Sequence, residues 1–318
     1  MAETTGTVVV LAGGLSHERD VSLRSGRRVS TALREAGHHV VEADVNGQLL
    51  TTLAGAEDPM VFPVLHGGAG EDGALREVLD VLGVEYVGST GRASHIAFDK
   101  AVATPLVAQA GFVTPRQAAL PQDMFRELGA AALVEALASG IGFPMMVKPA
   151  QSGSSLGCTR VDDAAGLPAA IVTAFGYGDV AIVEEFIEGR EVAVSVVDLG
   201  NGPKVLPAVE IQPLSGSYDY AARYTAGQTR FIAPAELSPE VARRCNELAL
   251  GAHRVLGLRD LSRTDLIIRD DVPHFLEVNV APGMTETSLL PLAIEASGVS
   301  FEDVCSSLVA AARARASA

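Results

Sequence analysis

The sequence predicts an α/β fold, α+β in its later part, that opens with a doubly wound parallel-sheet domain. Strand-like and helix-like stretches alternate through residues 1–92, Gly-rich turns close the early strands, and strands without intervening helices gather in the second half. "TVVVLAGG" is a buried strand entering a Gly-rich turn, and "DVSLRSGRRVSTALREAG" is the helix after it. "HHVVEADV" and "MVFPVLHGG" are the next strands. "ALREVLDVLG" is a helix by the spacing of Leu75, Val78, Leu79 and Leu82, and "VEYVGS" closes the unit as a strand. Ligands of such sheets sit at the carboxyl ends of the strands, where "GGLSHERD" and "HGGAGEDG" both fall.

A second unit, 93–188, opens with one long helix, "ASHIAFDKAVATPLVAQAG", and a further helix after "FVTP". The strands "FPMMVKPA", "LGCTRV", "VAIVEEFI" and "REVAVSVVD" then suggest an antiparallel sheet with helices on one face. A third unit, 189–318, carries "KVLPAVEI", a loop from Gln212 to Gly227 rich in Ser, Tyr and Gly, a helix from Pro239 to Leu256, a polar hairpin and two closing helices.

With 318 residues, 48% hydrophobic and 20% charged, the chain is globular and long enough for two or three domains. A net charge of -15 argues against nucleic acid or an anionic membrane as partner, so any bound phosphate must be held by local cations. The start "MAETTGTVVVLAGG" lacks the basic flank of a signal peptide and no apolar run approaches a membrane span, so a cytoplasmic location is expected. Cys158, Cys245 and Cys305 are odd in number and widely spaced, which suggests neither a disulfide framework nor a zinc site. Of 24 basic residues only Lys100, Lys148 and Lys204 are Lys, which points to positions that need a compact ammonium on a flexible stem.

The polar hairpin holds the densest chemistry. In "FLEVNVAPGMT", alternation places Leu276, Val278 and Val280 on one face and Phe275, Glu277 and Asn279 on the other. Upstream, "RTDLIIRDDVPH" sets Thr264, Leu266 and Ile268 opposite Arg263 and Asp265. A turn at Asp270 and Asp271 then brings Asp265 across from Glu277 and Arg263 across from Asn279. Carboxylates at a cross-strand distance of roughly 5 Å repel unless a cation lies between them. Hard oxygens of this kind suit Mg2+ beside substrate phosphates; a solvated hairpin face is the alternative.

Lys148 ends a strand in "VKPAQSGSSLG", where a Ser- and Gly-rich turn offers backbone N–H groups to an anion; a plain flexible hairpin reads equally well. It is not a Walker A loop, since Lys precedes the glycines. In "IVEEFIEGRE", Glu184 and Glu191 flank Phe186 and Ile187, apolar walls with acidic ends that suit an adenosine or, equally, a surface hairpin.

Seven motifs in register decide among these readings: "GGLSHERDVSL", "HGGAGEDG", "VGSTGRASHIAFDK", "VKPAQSGSSLG", "VEEFIEGRE", "YDYAARY" and "EVNVAPGMTETSLLP". Together they span nearly the whole chain and resemble the D-alanyl-D-alanine ligases of the ATP-grasp superfamily. The resemblance implies an ATP-grasp fold and a reaction in which ATP phosphorylates one D-alanine, the amine of a second attacks the acyl phosphate, and phosphate leaves, for peptidoglycan synthesis. It implies that Lys100, Lys148, Ser155 and Arg223 hold the ATP phosphates and that Glu184, Phe186, Ile187 and Glu191 hold the adenosine. Asp265, Glu277 and Asn279 would hold two Mg2+ ions, Mn2+ being the alternative metal. Arg263 and the N–H of Gly283 would receive the oxyanion, a role worth ~3 to 4 kcal/mol per donor.

Glu18 would bind the ammonium of the first D-alanine and link through Ser154 to Tyr224. Val21 and His66 would line the first site, and Ser288 and Leu289 would take the second carboxylate. The Gln212 to Gly227 loop would close as a lid that excludes water. A homodimer is also implied. Ser217, Ala221, Arg223 and Val280, with Ser152 and Arg76, depart from the common pattern without removing a metal ligand. Tyr224 favours an amine as second nucleophile, since depsipeptide-forming relatives differ there. A paralogue ligating other small D-amino acids and a nucleotide sensor without turnover are the competing readings.

Overall fold

The computed structural model describes residues 6–214 and 227–316. The lid residues Ser217, Ala221, Arg223 and Tyr224 therefore lie outside the described residues.

Five consecutive buried residues form β1 (Thr7–Leu11), flanked by parallel strands β2 (His39–Ala43) and β3 (Met60–Pro63), with β4 (Glu85–Tyr86) at the edge. Because a strand alternates faces, Val8 and Val10 pack under α1 (Arg19–Glu35) while Val9 and Leu11 pack under α2 (Leu49–Gly55) and α3 (Ala74–Leu82). The order β2-β1-β3-β4 puts the reversal of strand order between β1 and β3, so the loops after these two strands flank one crevice. In α3 the expected apolar stripe is not the buried one. Leu79 is fully buried and Leu75 half-buried, but Val78 and Leu82 are exposed, because the guanidinium of Arg76 occupies the inward slot at 1% exposure.

The expected single helix after residue 90 is two. Asp99 adopts an extended conformation and its carboxylate accepts from the Ala101 N–H, so it ends α4 (Gly91–Phe98) and caps α5 (Lys100–Gln109). This break leaves Lys100 in the first turn of a new helix. A small antiparallel sheet follows, built from β5 (Gln117–Pro121), β6 (Met145–Pro149), β7 (Thr159–Val161) and β8 (Val180–Glu185) in the order β5-β8-β6-β7. Beside it run α6 (Gln122–Leu128), α7 (Ala130–Gly140) and α8 (Leu167–Phe175), and Leu137 of α7 and Ile171 of α8 share its core. "REVAVSVVD" is not part of this sheet: it forms β9 (Arg190–Val197), a central strand of the next one.

That six-stranded sheet contains β9, β10 (Lys204–Val205), β11 (Val209–Pro213), β12 (Thr229–Ile232), β13 (Leu261–Arg269) and β14 (Val272–Asn279). Val192, Val194 and Val196 of β9 face α4, α5 and α9 (Pro239–Val255); Ala193 and Val197 face α10 (Leu289–Ala296) and α11 (Phe301–Ala316). The second face shares one core with the parallel sheet, so the loops of both sheets are fixed relative to each other.

β13 and β14 pair with Arg263 across from Asn279 and Asp265 across from Glu277, around a two-residue turn in which Asp270 and Asp271 both have positive φ. One expectation for this hairpin fails. The register slips between Asp265 and Leu266, which pairs with Phe275, so Leu276 is an inserted bulge residue. The insertion reverses the alternation, and Phe275 lies in the core with Leu266 and Val278 rather than beside Glu277.

Candidate active site

The loops after β1 and β3, the turn between β6 and β7, and the β13–β14 hairpin with its run into α10 enclose a cleft of about 450 Å3. Eleven of the expected residues line it: Glu18, Val21, His66, Lys100, Ser154, Arg263, Glu277, Asn279, Gly283, Ser288 and Leu289. Lys148, Ser155, Glu184, Phe186, Ile187, Glu191 and Asp265 do not line it.

Glu18 is placed by a loop with little freedom. Gly14 N–H donates to Asp44 at 2.8 Å, Arg19 holds both Asp44 and the Gly14 carbonyl, and the Ser16 hydroxyl donates to the His66 carbonyl at 2.6 Å. A methyl group on Gly13 would lie 2.3 Å from Asp44 Oδ1, and its φ is +100°, so only glycine fits. Across the cleft, Ser154 donates its hydroxyl hydrogen to Glu18 Oε1. Ser154 and Ser155 both have positive φ, a conformation costing of order 1 kcal/mol or more for a residue with a Cβ, held where the hydroxyl meets Glu18.

His66 is 5% exposed, and burial lowers its pKa below the usual imidazole value. Its Nδ1 lies 3.0 Å from the Ala281 carbonyl, which can only accept, so Nδ1 carries the proton. Nε2 then accepts from the Ser25 hydroxyl at 3.2 Å, and Ser25 Oγ accepts from the Met284 N–H at 3.1 Å. The histidine thus ties the loop after β3 to the loop that carries Gly283. That loop is tight: a methyl on Gly283 would sit 2.7 Å from Ser288 Oγ. Ser288 occupies the N-cap position of α10 but does not cap it. Its Oγ instead accepts from the Thr285 N–H at 3.1 Å and lies 2.8 Å from Thr285 Oγ1, which leaves the first N–H groups of the helix unclaimed by that side chain.

The other end of the site is built from ion pairs. Lys100 Nζ lies 3.1 Å from Glu277 Oε2 and donates to the Ser152 carbonyl at 2.8 Å. Arg263 donates from Nε and one terminal nitrogen to the two oxygens of Asp265, at 2.7 and 2.8 Å. Lys148 lies 2.6 Å from Glu184, with both side chains under 10% exposed. Burial alone would lower the Lys148 pKa, but Glu184 and then Glu277 outweigh it and hold it above the usual range. Ile187 is buried at the junction between β8 and β9, and the Arg160 guanidinium stacks on Phe186 at 4.5 Å.

Several lining residues were not singled out from the sequence: Arg24, Glu71, Phe98, Thr229, Phe231 and Thr285. Glu71 was within reach, as the first of the two acids in the quoted "HGGAGEDG". Thr229 and Phe231 belong to β12, which with β11 carries the ends of the described chain on either side of the lid residues.

Among the described residues no three His, Cys, Asp or Glu side chains gather as a metal site. The expected Mg2+ set has another composition, two carboxylates and an amide, brought together by the hairpin register. Its donor chemistry fits a hard cation: Asp265 and Glu277 offer carboxylate oxygens, now paired with the Arg263 and Lys100 side chains, and Asn279 offers an amide oxygen that already accepts from the Ala281 N–H at 2.8 Å and has a second lone pair.

No helix among the described residues is long and apolar enough to cross a membrane. Residues 106–310 match the family profile described as "D-ala D-ala ligase C-terminus". The D-alanine–D-alanine ligase of Desulforudis audaxviator is 42% identical over 310 residues, covering 96% of this chain and 98% of that protein. The corresponding ligase of Fervidobacterium nodosum is 39% identical, covering 93% and 95%. Among solved structures, the D-alanine–D-alanine ligase of Bacillus anthracis complexed with ATP superposes with a TM-score of 0.83 at 26% identity, over 98% of this chain and 99% of that one. The VanG D-Ala:D-Ser ligase of Enterococcus faecalis gives the same TM-score at 28% identity, over 96% and 98%. The expected ATP-grasp fold holds, and the chain belongs to the D-alanine–D-alanine ligase family.

Proposed function

We propose that this ligase phosphorylates the carboxylate of one D-alanine with ATP and couples the acyl phosphate to the amine of a second, releasing ADP and phosphate, to supply peptidoglycan precursor in the cytoplasm. The observation that carries the reading is the meeting, in one cleft, of the Glu18–Ser154 acid–hydroxyl pair, the Lys100–Glu277 ion pair, the Arg263 guanidinium and a glycine–serine loop. An ionised carboxylate is a poor electrophile, so activation must precede amide formation. Glu18, fixed by Ser154, receives the first ammonium, beside Val21. Arg263 and the Gly283 N–H receive the oxyanion of the tetrahedral intermediate. His66, with both ring nitrogens engaged by the protein, holds the Gly283 loop at its working distance. Ser288 and the N-terminus of α10 at Leu289 receive the second carboxylate.

Lys100, Lys148 and Ser155 hold phosphates, Arg223 joining them from the lid, while Glu184, Phe186, Ile187 and Glu191 form the adenosine wall. ATP use is supported by the ATP complex of the B. anthracis structure. Two Mg2+ ions held by Asp265, Glu277 and Asn279 would neutralise phosphate charge during transfer. In this reading the units 1–92, 93–188 and 189–318 divide first-substrate binding, nucleotide clamping and metal binding, Tyr224 completes the Glu18–Ser154 link, and two copies form a dimer.

The decisive assay is ADP release by the purified protein with D-alanine against L-alanine, D-serine and D-lactate, with product identified by mass. D-alanine-dependent ADP release and a D-alanyl-D-alanine mass are expected. Equal or greater release with D-serine as acceptor would move the chain toward the D-Ala:D-Ser activity named for the VanG relative. No amino-acid-dependent release would leave a nucleotide sensor.

A further inference from the structure

The roles assigned so far leave one cleft acid without a task. Glu71 follows the tight turn Gly68–Gly70, is 7% exposed and lines the cleft. Its placement is specified from below: the buried guanidinium of Arg76 donates to the Gly70 carbonyl at 2.6 Å and so fixes the turn that delivers it. One glycine, Gly153, borders both this carboxyl and Glu18, and a second, Gly67, closes on Glu18 alone. A methyl on Gly153 would lie 3.2 Å from Glu18 Oε2 and 4.0 Å from Glu71 Oε2, and one on Gly67 would lie 2.6 Å from Glu18 Oε2. Two carboxyl groups therefore flank one small void, lined by glycine and bounded by the Ser154 hydroxyl.

Such a pair is not stable with both groups ionised unless a cation or proton lies between them. Burial, then the charge of Glu18, pushes Glu71 up to about 7, against the Gly67 N–H and Arg263, which favour ionisation. Glu277 adds to the upward push. The Arg76 guanidinium on the adjoining helix is within electrostatic reach of Glu71, Asp72 is turned away to the Ala74 N–H, and burial lowers the pKa of His66 beside Glu18.

We infer that the ammonium of the first D-alanine is received by two carboxylates, Glu18 and Glu71, the cation replacing a proton held between them. This rests on the assignment of Glu18 to that ammonium. In the free protein below neutrality Glu71 carries the proton; when the ammonium enters, the proton leaves to solvent and both carboxylates face the cation. Affinity at the first site then rises with pH through neutrality, because fewer protons need to be displaced. Below the free-state value each pH unit weakens binding by up to about tenfold.

Calorimetric titration of D-alanine into the full chain with Mg2+ and a non-hydrolysable ATP analogue, in two buffers of different ionisation enthalpy, reads the proton directly. Release of roughly half a proton per first-site D-alanine is expected at pH 7, and none from Glu71→Gln. In rate assays Glu71→Gln raises the first D-alanine KM about tenfold with kcat within about threefold, and Glu71→Asp recovers part of the loss. No proton release from the unmodified protein at pH 7 overturns the inference, and that measurement decides the matter even where Glu71→Gln does not fold. A first KM unchanged in Glu71→Gln overturns it also. If Glu18→Gln leaves the first KM unchanged, the parent assignment fails as well; if Glu18→Gln raises it and Glu71→Gln does not, only the second carboxylate is lost.

Discussion

The two ends of the cleft are held in place by different physics. At the end proposed for the amino acids, Glu18, His66 and Ser288, and Met284 beside Gly283, are fixed by hydrogen bonds with hydroxyls and backbone groups. At the end proposed for the nucleotide, and in the wall behind it, Lys148–Glu184, Lys100–Glu277 and Arg263–Asp265 are opposite charges paired with each other. A small zwitterion is recognised best by groups already in position, since any reordering costs rotamer entropy that a few atoms of ligand cannot offset. A triphosphate with its metal brings enough charge to exchange partners with buried ion pairs. Those pairs keep each charge compensated while the site waits, because an unpaired buried charge costs several kcal/mol.

The largest effect that tests this contrast is on turnover. Glu277→Ala should lower kcat by about three orders of magnitude or more, the scale on which charge neutralisation acts in phosphoryl transfer. It should leave the chain folded at some cost in stability, since the buried Lys100 loses its carboxylate but keeps its bond to the Ser152 carbonyl, and Glu277 is 28% exposed at its side chain. Phosphate-release rates with matched thermal melts check both halves. Near wild-type turnover removes Glu277 from the metal set, and a collapsed melt makes it a structural residue.

Next comes stability. Lys148→Met strands Glu184 in the interior and should cost about 3–5 kcal/mol, as should Glu184→Leu, while Lys148→Met with Glu184→Leu together should fall within about 2 kcal/mol of wild type. Urea denaturation of the four proteins measures the coupling. Losses that simply add would mean that the pair is not an interacting unit and that the nucleotide end owes its order to something else.

These contrasts were unevenly visible in the residues alone. The pairing of Asp265 with Glu277 was legible because alternation and an Asp-Asp turn fix register locally. The bulge at Leu276 was not, since one inserted residue leaves the apolar pattern unbroken while reversing which face Phe275 occupies. Nor was the break at Asp99: helical spacing runs across it, and only the cap geometry parts Lys100 from the preceding helix. Lys148 and Glu184 were both expected at the nucleotide. That they first find each other depends on β6 lying beside β8, a pairing between strands far apart in sequence. Glu71 escaped for the same reason, its burial being set by Arg76 and by loops from two sheets.

The smallest effect belongs to the preset end and separates a recognition role from a capping role. Ser288 stands where a helix cap would, yet its hydroxyl is turned to Thr285 rather than to the N–H groups of α10. Ser288→Ala should therefore cost stability only about 1 kcal/mol, through the two bonds to Thr285. A hydroxyl bonded to a carboxylate is worth about 1.5–3 kcal/mol, so the second D-alanine KM should rise roughly tenfold or somewhat more while the first stays fixed. Initial rates over a wide D-alanine range, fitted for two sites, resolve the two constants. A rise in the first KM, or a shift of both together, would mean that Ser288 holds the Gly283 loop for both substrates, and the preset end would then work as one unit rather than as two subsites.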